Sequence, residues 1–137
     1  GCRTPMVWVT DNANGGFSAA KPWLPVKPEH LSRSVAAQEA DPGSMLAHYR
    51  AALAFRRAHA TLRRGTMTLP QAGGDIANFV RQGDETIFCA VNLGAEPGEV
   101  TLPDGTWECI ATELGSQAAT GGRVALSPWG VCLAKLV

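Results

Sequence analysis

Between Thr66 and Val137 seven short apolar or β-branched stretches follow one another, and no helical period separates them. They are TMTLP, DIANFVRQG, DETIFCAVNL, GEVTLP, TWECIATEL, RVALSP and WGVCLAKLV, and turn-forming residues separate them. Trp107, Cys109 and Ala111 alternate with Glu108, Ile110 and Thr112, the two-residue period of a strand. Parallel neighbours would need a crossover of a dozen or more residues, usually a helix, between successive strands. None is present, so the pattern predicts an antiparallel β-sandwich, with Gln82-Gly83-Asp84 as a hairpin turn.

Upstream of the strands lies one long helix. Asp41 is placed to cap it and Pro42 to occupy its first position, ahead of SMLAHYRAALAFRRAHA. Leu46, Tyr49 and Leu53 recur at i, i+3 and i+7 with Met45 beside them, which makes an apolar stripe. The other side is mostly Ala47, Ala51, Ala54 and Ala58, broken by Arg50 and Arg57. Such a helix suits close contact on two sides. Arg56, Arg57, His59, Arg63 and Arg64 gather near its end, either to complement the carbonyl end of the dipole or to bind phosphate.

Residues 1–40 read instead as a long loop, because TDNANGGFSAAKPWLPVKPEH is dense in Gly and Pro. Trp8, Phe17, Trp23, Leu24 and Val26 stand within it. A loop of this length and aromatic content is expected to drape over a surface that this sequence does not contain. The opening GCRTPMVW is too dense and rigid for an ordinary free terminus, so Gly1 is expected to be a cut in a longer chain.

Function can be narrowed by exclusion. Twelve basic side chains balance twelve acidic ones, so no long-range field draws nucleic acid or an acidic membrane surface. Cys2, Cys89, Cys109 and Cys132 contain no C-x-x-C pair, and the last three lie in strand-like runs where a free thiol packs as a small hydrophobe. His30, His48 and His59 lack metal-site spacing, so neither metal nor cofactor is expected. There is no nucleophile elbow, phosphate loop or matched carboxylate pair. Alone, the chain is expected to be catalytically inert. For sugar binding, Trp8 and Trp23 are the better aromatic candidates, whereas Trp107 suits the core and Trp129 a turn.

GCRTPMVW, NGGFS, KPWLPV, QEADPGSMLAHYRAALAFRR and HATLRRG, in that order, resemble the C-terminal part of bacterial α-glucosidases of glycoside hydrolase family 13. The resemblance is dense to about Gly65 and is one of pattern beyond it. It implies that 1–62 form the end of a (β/α)8 barrel, the loop after its last strand plus the closing helix. Residues 63–137 would then be the C-terminal β-sandwich, domain C. The family's catalytic carboxylates lie on earlier barrel strands, so no catalytic residue is assigned within the chain. Arg3 is its one assigned substrate-binding residue, lining the pocket of the non-reducing glucose. A planar guanidinium suits this task because it can bridge a carboxylate and a hydroxyl. Pro5 would stiffen the loop and Trp8 anchor it, while Val7 and Val9 depart from the polar residues of the relatives' R-T-P-M-Q-W-D.

The resemblance therefore implies a cytoplasmic retaining exo-α-glucosidase acting on short α-glucosides, with this chain as pocket wall and scaffold packed on the barrel. A glucosyl-transferring or isomerising relative, forming trehalose or isomaltulose, is the near alternative. A stand-alone carbohydrate-binding sandwich is the distant one.

Overall fold

The computed structural model describes residues 3–69 and 74–137, so Cys2 lies outside the described residues. The chain divides into two compact units, Gly1–Ala51 and Ala52–Val137.

In the first unit the Gly- and Pro-rich stretch is more structured than a loop. A 3₁₀ turn at Ala13–Gly16 precedes short helices α1 (Pro28–Leu31) and α2 (Val35–Ala40). Helices of 4 and 6 residues are too short to print a period on the sequence, which is why it reads as loop. Ser34 caps α2, its hydroxyl accepting from Ala37 N at 3.2 Å and meeting Thr10 Oγ1 at 3.2 Å. Val35 N and Ala36 N donate to the carbonyls of Val7 and Trp8, which ties α2 to the opening segment.

The long helix α3 runs Met45–Ala58, so its start differs from the one expected at Asp41. Asp41 ends α2 and folds its carboxylate back on Gly43 N at 2.8 Å, holding Pro42-Gly43 in a turn outside the helix. The cap is Ser44, whose Oγ accepts from Ala47 N at 3.2 Å and donates to Gln38 O at 2.6 Å. Gln38 completes the joint by accepting from Leu46 N at 3.2 Å. Ser44→Ala should cost about 1–2 kcal/mol, because a cap and a buried bond to α2 are lost together. Urea unfolding of the chain measures it, and Ser44→Asp, which keeps an N-cap acceptor, should recover part of the loss.

In the second unit α4 (Thr61–Arg64) follows α3, and the seven expected strands all form. They are β1 (Thr66–Thr68), β2 (Ile76–Gln82), β3 (Thr86–Asn92), β4 (Gly98–Thr101), β5 (Trp107–Cys109), β6 (Arg123–Leu126) and β7 (Val131–Leu136). One sheet has the order β1-β2-β3-β7-β5 and the other pairs β4 with β6, every pairing antiparallel. The β2–β3 hairpin closes at Gln82↔Thr86, as the Gln-Gly-Asp turn predicts.

Between the sheets lies the core: Val80, Phe88, Ala90, Leu102, Val124, Leu126, Cys132 and Ala134. Trp107 packs on its margin, its ring edge-on to Phe88 with centroids 6.1 Å apart. The opposite face of β3 is covered as well, leaving Ile87 and Cys89 buried, and α4 packs on β2 and β3. Thr61 anchors that joint, its hydroxyl accepting from Glu85 N and its carbonyl from Arg81 Nε, each at 3.3 Å. Asn92, at the end of β3, donates to the carbonyls of Glu96 and Ser127 and accepts from Gly94 N. One buried amide thereby pins two loops. Cys89, Cys109 and Cys132 are free thiols. Burial, then the neighbouring Cys132, pushes the Cys89 thiol up to about 12, and burial, then Cys109, pushes Cys132 to about 11. Both pack as neutral hydrophobes.

Candidate functional site

The opening segment is held by a clasp with the Asn-Gly-Gly turn. Trp8 N and Val9 N both donate to Gly15 O, at 2.8 and 3.1 Å. Gly15 has a φ of +63°, and a Cβ there would stand 2.8 Å from Val7 Cγ1. Gly16, at +73°, would meet Val9 Cγ2 at 2.9 Å. The two valines that depart from the relatives' polar pattern thus pack on the two glycines, and Val7 is buried. Asn14 extends the same turn by donating to the carbonyls of Ser18 and Ala20, which sets the course of the chain into Lys21-Pro22-Trp23.

That course brings Trp23 to Arg3. The Arg3 Cζ lies 4.4 Å from the Trp23 ring centroid, a cation–π pair joining two stretches that are twenty positions apart in sequence. Both side chains are exposed, Trp23 by 79%. Trp23 also borders a cavity of about 680 Å³ that Thr10, Asn14, Lys21, Pro22 and Leu31 help to line. An exposed cation over an aromatic face, with amide and hydroxyl groups lining the cavity that Trp23 borders, is chemistry suited to a polyhydroxylated ligand. Trp8 is half-exposed on the same segment.

Other candidates fall elsewhere. Trp107 is half-buried, with Nε1 donating to Pro103 O at 2.8 Å. Trp129 stands exposed in a turn with φ +60°. Arg56, Arg57, Arg63 and Arg64 are exposed, and Arg63 donates to the Arg57 carbonyl at 3.3 Å, as a cation completing a helix end does. Glu39 and Glu99 are in ion pairs with Arg50 and Arg123, and Glu85 is hydrogen-bonded to His59 and paired with Lys135. Sequence reasoning had not pointed to Lys21 or Asn14; the Asn-Gly dipeptide signals a left-handed turn but not what the turn presents.

Comparison with known proteins identifies the family to which the two parts of the chain are similar. Residues 1–65 match the model described as "Alpha amylase, catalytic domain", and residues 50–133 match "Domain of unknown function (DUF3459)". A "Probable alpha-glucosidase" of Rhizobium meliloti (strain 1021) is 40% identical over 99% of this chain and 25% of that protein. An "Oligo-1,6-glucosidase" of Parageobacillus thermoglucosidasius is 33% identical over 74% of this chain and 18% of its own length. Among solved structures, the "alpha-glucosyl transfer enzyme, XgtA" superposes with a TM-score of 0.91 at 35% identity, covering 100% of this chain and 26% of that one. The trehalulose synthase MutB from Pseudomonas mesoacidophila MX-45 gives 0.83 at 32% identity, over 98% of this chain and 25% of that one. The chain thus spans about a quarter of the length of relatives such as the Rhizobium protein and XgtA. By residues 50–133 it belongs to the DUF3459 family, joined to the end of an α-amylase catalytic domain and homologous along nearly its whole length to bacterial α-glucosidases of glycoside hydrolase family 13.

Proposed function

We propose that the chain is the C-terminal part of a retaining exo-α-glucosidase that removes terminal α-linked glucose from short oligosaccharides. In this reading 1–62 close a (β/α)8 barrel whose earlier strands carry the catalytic carboxylates, and 63–137 are domain C. Arg3 binds substrate in the glucose pocket, and the Arg3–Trp23 pair beside an open cavity is the observation that carries the reading. The exposed stripe of Met45, Tyr49 and Leu53 on α3 supports packing against the preceding barrel, since this much aromatic and aliphatic surface in one line is costly to leave in water. A cytoplasmic location belongs to the same reading, and Cys89, Cys109 and Cys132 are free thiols among the described residues.

Glucosyl transfer is the second reading, favoured by the similarity to XgtA and to a trehalulose synthase. Product analysis on the full-length polypeptide separates them. Incubated with maltose, a hydrolase should yield free glucose as the dominant product. Accumulation of a new disaccharide or trisaccharide in its place would reject hydrolysis and leave transfer.

A further inference from the structure

The second unit holds a cavity that the reading above leaves unused. It lies where β2 turns into β3, on the core face of the five-stranded sheet, and measures about 380 Å³, within the range of small-molecule sites. Val80, Trp107 and Leu136 give it apolar walls. Trp107 is fixed from two sides, by its bond to Pro103 O and by its edge contact with Phe88. An indole immobilised in this way offers a flat apolar face without losing rotamer freedom when a ligand arrives.

The polar part of the lining includes Asp104, Gln82 and Thr86. Their side chains make no hydrogen bond among the described residues, so a carboxylate, an amide and a hydroxyl are left to solvent or to a ligand. Among those residues the lining contains no Lys, Arg or His, which disfavours a phosphorylated or otherwise anionic guest. A neutral ring with one apolar face and a girdle of hydroxyls satisfies both halves of the site: C–H groups against the indole, hydroxyls toward the carboxylate and amide.

We infer that this groove binds one neutral pyranose ring, stacked on Trp107 and held by Asp104. The use of an α-glucoside as probe rests on the proposed function; the preference for a neutral sugar rests on the lining alone.

The test is a maltose titration of the ¹⁵N-labelled chain, read at the Trp107 indole N–H, which Trp107→Phe assigns by its disappearance. That resonance should move saturably with a dissociation constant of roughly millimolar order, the affinity expected of one stacked ring and a few exposed hydrogen bonds. Asp104→Ala, an exposed change, should weaken binding about tenfold with the free chain's spectrum otherwise preserved. An immobile Trp107 resonance up to roughly 100 mM maltose overturns the inference, as does an equal response to mannitol, which has no ring. Movement confined to Trp8 or Trp23 overturns it too, while leaving the proposed function, judged by turnover products, intact.

Discussion

On the proposed function, Arg3→Ala in the full-length polypeptide should lower kcat/KM for maltose by about 100-fold. The reason is the number of charge-assisted hydrogen bonds a guanidinium can make at once. Loss of two, at about 1.5 kcal/mol each, amounts to about 3 kcal/mol, or some 100-fold in rate. Arg3→Lys keeps the charge but not the planar fork, and should stay at least about tenfold below the parent. Magnitude separates this role from the alternative, in which Arg3 merely rests on Trp23. An exposed cation–π contact contributes about 0.5–1 kcal/mol, so a purely supporting arginine would cost no more than about fivefold. A steady-state comparison of the three proteins on maltose therefore decides. A loss under fivefold, or full recovery with lysine, would remove Arg3 from the pocket.

Phe88→Ala should cost about 3–5 kcal/mol, a large share of the total stability of an ordinary domain. The ring is fully buried on β3, opposite Val80 on one side and Ala134 on the other, and it meets Trp107 edge-on. Val124 and Leu126, which are also fully or nearly fully buried, belong to the same cluster and come from the second sheet. Removing the ring would open a void where the two sheets join, and neighbours held in strand registers have little freedom to fill it. Phe88→Leu should cost much less, about 1–2 kcal/mol, because it restores most of the volume and forfeits mainly the aromatic contact. Urea unfolding followed by tryptophan fluorescence reads both. A loss below about 1 kcal/mol for the alanine variant would mean that the two sheets do not share this core.

The strands were legible because each is bounded by turn chemistry and because no helical period intervenes. Which strand would be covered on both faces was not: TIFCAV in β3 reads as a plain apolar run, and periodicity cannot say what lies on either side of it. The short helices went unread for want of length. The start of α3 was misplaced for a different reason. Asp41-Pro42 satisfies the statistics of a cap and first turn, but Asp41 is drawn into a bond with Gly43, and Ser44 takes the cap because its hydroxyl also reaches Gln38. Such competition between two good candidates is settled by tertiary partners. At the candidate site, Arg3 and Trp23 were each singled out separately. Their pairing depends on the Gly15 and Asn14 turn geometry, and no local pattern reports that.

Strand order has a consequence for how the sheet is made. β7 comes after every other described strand along the chain yet sits between β3 and β5, and among the described residues β5 has no other neighbour in its sheet. A nascent polypeptide emerging from the ribosome therefore exposes the facing borders of β3 and β5 until β7 has emerged, an interval in which chaperone capture competes with aggregation.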